Sequence, residues 1–204
     1  ISCRWVYKAK PDKLKSRLVI RGFLQNIVDG SSVFSPTLKM VTFRLLLALC
    51  AHLQWMCQQM DVCNAFLNAD MPSDDPVYMY CVDGYNKPDY VIRLQKALYG
   101  LRNSPSQWYK HLAAFLQNVL KMARCPLDHC LFSMAREDGN IVLLVGVHVD
   151  DLVIVGMPNA VAHFKRSMSS EFKMEDLGWP SRCLGVDIEW RQDGSVALSQ
   201  GTYI

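Results

Sequence analysis

An α+β fold is what the sequence predicts, and three observations predict it. Strand-length and helix-length apolar runs follow one another without a regular β-α rhythm. Glu137-Asp138-Gly139-Asn140 and Gln192-Asp193-Gly194 each separate two apolar segments, as antiparallel hairpin turns do. Of the 204 residues, 50% are hydrophobic and 20% charged, which suits a buried core and excludes a disordered chain.

Trp5–Lys8 and Arg17–Phe23 read as strands around a polar turn, Pro11-Asp12-Lys13, so the N-terminal lobe is expected to be a β-ribbon with exposed cations. Thr42 precedes a leucine-rich run, Phe43–Ala51, whose composition predicts a core helix. Met56–Val62 is a strand containing Asp61. Val77–Cys81 and Val91–Leu94 are shorter strands divided by a loop with Gly and Pro. Ser104-Pro105-Ser106-Gln107 combines an N-cap serine, a first-turn proline and a glutamine, so a long helix is expected to run to about Leu120. Cys130–Met134 and Ile141–Val149 form the first hairpin, and Leu152–Gly156 continues after Asp150-Asp151. Asn159 is placed to cap a helix over Ala160–Ser170, and Cys183–Trp190 pairs with Ser195–Leu198.

Residues 1–44 hold nine Lys or Arg against two Asp, a surplus of seven positive charges. The remainder holds thirteen against seventeen. A basic lobe beside an acidic remainder suits a protein that grips a polyanion with one part and gathers cations with the other, although charge alone more often marks a solvated face. Eight cysteines are too few for a disulfide-stapled secreted domain. Cys125, His129 and Cys130 lack the second ligand pair of a closed zinc site and read as core residues. No apolar run reaches the roughly 20 residues of a membrane span, and the start shows no signal pattern, so a soluble, intracellular chain is expected. A first residue other than Met and a final segment, Ser199–Ile204, that opens a further element predict a piece of a longer protein.

The chemistry concentrates at Asp150-Asp151, two carboxylates between runs of Val, Leu and Ile. Ionised carboxylates beside a core are costly unless cations or hydrogen bonds compensate. Taken alone, such a pair is more often a solvated turn. Asp61, at the end of another apolar strand, supplies a partner. Three carboxylates on neighbouring strands suit two divalent ions about 3.5–4 Å apart, as in nucleotidyl transfer, and an all-oxygen set suits magnesium.

Lys15–Phe23, Phe34-Ser35-Pro36-Thr37, Gln59–Leu67, Leu98–Tyr109, Val149-Asp150-Asp151 and Leu184-Gly185 together resemble, in order, the copia-type reverse transcriptase family of retrotransposon Pol polyproteins. The resemblance implies a right-hand polymerase palm, an antiparallel sheet packed on helices, with a β-rich basic fingers lobe. It divides the chain into fingers at about 1–45 and palm with interleaved fingers elements at about 46–204, the thumb and RNase H lying elsewhere. It implies RNA-directed DNA polymerase activity, with Asp61, Asp150 and Asp151 catalytic and holding two Mg2+ ions, Mn2+ being a substitute. Lys15 and Arg17 match fingers cations for the incoming dNTP. Phe66 matches the residue that blocks a ribose 2′-hydroxyl, and Gly100 the stretch lining the nascent base pair. Leu184 and Gly185 match the primer grip. Each also has a plainer reading: Phe66 as core, the cations as solvated, Gly100 as a turn and Leu184-Gly185 as a bend.

The implied partners are a primed RNA or DNA template, dNTPs and the polyprotein's capsid, protease, integrase and RNase H, in a cytoplasmic virus-like particle or the nucleus. His148 departs from the family's usual Tyr, Ser16 from Ala, and Asn103 and Ser104 from a commoner loop sequence. A catalytically inactive remnant that binds nucleic acid through its basic lobe stays open as a rival. Another metal-dependent palm enzyme, such as a nucleotide cyclase, ranks behind both.

Overall fold

The computed structural model describes residues 1–9, 14–25, 33–82, 84–85 and 89–201. In chain order the elements are β1 (Cys3–Ala9), β2 (Leu14–Ile20), α1 (Met40–Leu53), β3 (Met56–Val62), β4 (Tyr78–Tyr80), β5 (Val91–Arg93) and α2 (Ser104–Ala114). Then follow β6 (Ala123–Arg124), β7 (Leu131–Ala135), β8 (Ile141–His148), β9 (Asp151–Gly156), α3 (Pro158–Glu171), β10 (Met174–Gly178), β11 (Arg182–Cys183), β12 (Val186–Trp190) and β13 (Val196–Ser199). This is an α+β fold whose sheets are antiparallel, as expected. Two compact units divide it: Ile1–Ser35 with Asn64–Ala113, and Pro36–Cys63 with Ala114–Ile204.

In the first unit, β1 and β2 form a two-stranded ribbon with Trp5 opposite Leu18 and Val6 opposite Arg17. Paired residues of an antiparallel ribbon share a face. Arg4, Lys8, Lys15 and Arg17 therefore stand on one face, and Trp5, Tyr7, Ser16 and Leu18 on the other. Arg4 and Lys8 are exposed as expected, whereas Lys15 and Arg17 are half-buried. The expected strand at Arg17–Phe23 stops at Ile20, and Gly22–Leu24 forms a 3₁₀ turn instead. A Cβ on Gly22 would lie 1.9 Å from the Gly100 carbonyl oxygen, so the backbones meet there directly. The turn expected at Pro11-Asp12-Lys13 lies outside the described residues. Ile20 joins Val77, Met79, Val82, Leu94 and Leu101 in a core under the β4–β5 hairpin.

The expected serine cap of α2 is corrected by the structure. Ser104 is already helical, and its hydroxyl donates to the Leu98 carbonyl at 2.6 Å rather than to its own helix. Past Ala114 the helical path continues as a π-helical segment, Phe115–Val119, so the expected length is kept while the hydrogen-bond pattern changes.

The second unit is built on a six-stranded sheet in the order β10-β3-β9-β8-β7-β6. Val142–Val147 and Leu152–Val155 are buried without interruption, which requires cover on both faces of the sheet. Helices α1 and α3 both pack on β8 and β9. Helix α1 begins at Met40, ahead of the expected start, because a remote carboxylate caps it. Asp128 accepts the Lys39 backbone N–H at 3.1 Å and the Thr42 hydroxyl at 2.5 Å. Helix α3 begins at Pro158, so Asn159 lies inside it rather than capping it. The expected single strand Cys183–Trp190 is two strands, β11 and β12, with β13 completing a small sheet.

Candidate active site

Asp61 on β3 and Asp151 at the start of β9 are direct cross-strand partners. Strands β8 and β9 reverse through Val149 and Asp150 alone, with His148 opposite Asp151. The Val62 N–H donates to the Asp150 carbonyl at 2.9 Å, which ties the turn to β3. The backbone thus brings all three aspartates to one end of adjacent strands. Val149 has a φ of 58°, a left-handed conformation that a β-branched residue adopts only under strain. Two-residue hairpins with a positive φ at the first turn position normally place glycine there.

Across the sheet, Glu175, Asp61, Asp151 and His148 form a row on β10, β3, β9 and β8, all on one face. Asp151 accepts one hydrogen bond from a neighbouring side chain, from Gln59 Nε2 at 3.1 Å. Burial, and after it the charge of Asp150, pushes the Asp151 carboxyl above its ordinary value, although the Gln59 hydrogen bond and nearby His148 pull it down. His148 Nδ1 is buried without a hydrogen-bond partner among the described residues. An all-oxygen donor set suits magnesium, and a divalent cation among these groups would offset both the burial and the repulsion.

Lys15, Arg17, Phe66 and Gly100 belong to the first unit. Lys15 faces Lys8 across the ribbon, a like-charged pair that a polyanion would relieve. The Arg17 guanidinium lies 5.3 Å from the centre of the Tyr99 ring, and its Nε is buried with no hydrogen-bond partner among the described residues. Phe66 packs edge-on against the same Tyr99 ring, with centroids 5.0 Å apart. Gly100 has a φ of +91°, and a Cβ there would lie 2.1 Å from the Ile20 carbonyl oxygen. Only glycine fits that close backbone approach. Leu184 (φ 51°) and Gly185 (φ 76°) form the two-residue turn between β11 and β12, in the second unit.

Two residues beside Asp61 were not anticipated. Glu175 on β10 is its cross-strand partner on the side away from Asp151, and Cys63 lies two residues further along β3's course. Donor atoms of Asp61, Cys63 and Glu175 lie within 4.8 Å of one another, the one such group of His, Cys, Asp and Glu side chains among the described residues. Nothing local marks β10, an edge strand without alternating apolar residues, so Glu175 had no signal in the sequence. Cys125, His129 and Cys130 do not converge, and burial pushes the Cys130 thiol up to about 12, aided by the charge of Asp128.

The fold and site define an α+β domain with antiparallel sheets in which an aspartate on β3 lies beside an Asp-Asp hairpin turn. Residues 1–204 match the family described as reverse transcriptase (RNA-dependent DNA polymerase), and the chain belongs to that family. It is 34% identical over 216 residues to the retrovirus-related Pol polyprotein from transposon TNT 1-94 of Nicotiana tabacum, covering 100% of this chain and 16% of that protein. It is 32% identical over 214 residues to the Pol polyprotein from transposon RE2 of Arabidopsis thaliana, covering 100% and 14%. The Gag-Pol polyprotein of transposon Ty1-DR4 from Saccharomyces cerevisiae is 27% identical over 208 residues, covering 97% and 12%. The chain therefore spans about a seventh of the length of these copia-type relatives. Among the described residues, no helix is long and apolar enough to cross a membrane.

Proposed function

We propose that this chain carries the fingers and palm of a copia-type RNA-directed DNA polymerase, which extends a primer on an RNA or DNA template with dNTPs. The observation that carries this reading is the register that sets Asp61 opposite Asp151, with Asp150 at the adjoining two-residue turn. Two magnesium ions held by Asp61, Asp150 and Asp151 would lower the pKa of the primer 3′-hydroxyl and balance the charge of the departing pyrophosphate. The carboxylates orient and neutralise; none attacks the substrate. In this reading Lys15 and Arg17 supply positive charge to the triphosphate. Phe66, held edge-on by Tyr99, excludes a ribose 2′-hydroxyl. Gly100 lets the backbone approach the nascent base pair, and the Leu184-Gly185 turn holds the primer end. The partners that follow are the other parts of a Pol polyprotein, namely capsid, protease, integrase and RNase H.

One observation favours a second reading, an inactive copy that still binds nucleic acid. His148, with its unpaired Nδ1, stands in the row of active-site acids where the family has tyrosine. Extension of oligo-deoxythymidine on poly-riboadenylate with magnesium decides between them. The parent should yield product and the Asp150→Asn, Asp151→Asn double variant none. Equal binding of the primed template by both, with product from neither, sinks the polymerase reading.

A further inference from the structure

We propose that Cys63 and Glu175 are additional ligands at the Asp61 end of the divalent-cation centre, and that they tune this end toward thiophilic cations of the zinc class. The proposal rests on the reading of Asp61 as a cation ligand, but it does not require polymerase activity.

The placement follows from the backbone pairing of β3 with β10. Strand β10 sets Glu175 directly across from Asp61, on the side opposite Asp151. Cys63 follows directly after β3, which ends at Val62, and its sulfur lies on Asp61's side. Its N–H is anchored to the Lys173 carbonyl at 2.9 Å, which continues the pairing of β3 with the strand that carries Glu175. The two carboxylates and the thiol then have donor atoms within 4.8 Å of one another. A tetrahedral zinc ion has bonds of roughly 2.0–2.3 Å to oxygen and sulfur, so a small inward movement of exposed Glu175 closes such a set. Asp61 and Cys63 are half-buried and Glu175 is exposed, which leaves an approach from solvent and a fourth position for water.

The chemistry of the donors sets the selectivity. Magnesium prefers oxygen and gains little from sulfur, whereas zinc and cadmium bind thiolate strongly. Coordination replaces the Cys63 S–H bond with a sulfur–metal bond and releases the proton to solvent. Because Asp61 belongs to both donor sets, a thiophilic ion bound here competes with magnesium for the same carboxylate.

Cadmium serves as the probe, since its bond to thiolate gives a near-ultraviolet absorption that neither carboxylates nor magnesium produce. The 204-residue chain, kept reduced with a phosphine, is titrated with cadmium alone. The expected result is a saturable absorption band that Cys63→Ser removes. Glu175→Gln should keep the band but weaken the affinity by about tenfold or more. Replacing Cys3, Cys81 and Cys125 by Ser should leave it in place, and Cys50, Cys57, Cys130 and Cys183 are buried. A band of unchanged strength and affinity in Cys63→Ser overturns the proposal. So does an unchanged affinity in Glu175→Gln, which keeps the test decisive if Cys63→Ser fails to fold. A chain that shows the expected cadmium behaviour yet extends no primer loses the polymerase reading and keeps this one.

Discussion

Asp128 and Asp151 are carboxylates of the same structural unit, and the protein surrounds them in opposite ways. Asp128 is 5% exposed and accepts three hydrogen bonds, from the Lys39 N–H, the Thr42 hydroxyl and the Cys130 N–H. Burial acts to raise its pKa, but those bonds and the Lys39 charge outweigh it and hold the carboxyl below its ordinary value. Asp151 has Gln59 as a side-chain donor and the charge of Asp150 beside it, and it is held above the ordinary value. The first carboxylate has its hydrogen bonds supplied by the fold; the second is held up by burial and a neighbouring charge. The first reads as architecture, and the second fits the proposed cation site.

The largest expected effect breaks this contrast at Asp151. Asp151→Asn should reduce primer extension to the background of the assay while raising the Tm of the metal-free chain by a few degrees. The sign follows from linkage. A carboxyl whose folded pKa lies above its unfolded value penalises the folded state increasingly as pH rises past about 3.8, and fully once the folded value is passed. The Tm difference between variant and parent should therefore widen from acid toward neutral pH. A parallel melting series with magnesium should raise the parent's Tm and leave the variant's unchanged, and equal shifts in both would argue against cation binding at this carboxylate.

The next effect lies at Asp128. Asp128→Ala should cost about 3 kcal/mol in denaturant unfolding, since it uncaps α1 and strands two buried donors, the Thr42 hydroxyl and the Cys130 N–H. Here the folded pKa is lowered, so the contribution is present above the ordinary carboxylate value of 3.8 and disappears as pH falls through the folded one. A loss below about 0.5 kcal/mol would remove Asp128 as the completed member of the pair.

The smallest effect sharpens the comparison at the turn. Val149→Gly should relieve the left-handed strain and stabilise the chain by about 1 kcal/mol, measured by urea unfolding. Primer extension should fall in the same variant, because a looser turn no longer fixes Asp150. Stabilisation with unchanged extension would mean that the strain serves nothing in the reaction.

Much of the site was legible in the sequence for a physical reason. Apolar strands that end in acids at Asp61 and at Asp150-Asp151 advertise themselves locally, as do the Gly-containing hairpin turns. What was not legible depends on pairing between distant segments. Thr42 and Asp128 are 86 residues apart, so the cap that starts α1 early has no local signature. Glu175 gains its meaning only when β10 docks on β3. Ser104 follows the pattern of a cap, yet the Leu98 carbonyl in the preceding loop, which also accepts the Leu101 N–H, takes its hydroxyl. The π-helical turn at Phe115–Val119 likewise follows a run that by composition reads as plain α-helix.

The meeting of Gly22 and Gly100 has a consequence for how copies of this sequence age. With either Cβ falling near 2 Å from an opposing carbonyl oxygen, no side chain fits at either position without parting the backbones. Most single-base changes in a glycine codon introduce a side chain, so genetic drift would breach this contact readily once nothing opposed it. In a set of sibling copies, joint retention of Gly22 and Gly100 therefore dates how recently the fold was under selection. That clock runs independently of the acids, and copies that keep both glycines after losing Asp150 or Asp151 would be ones whose fold outlasted those acids.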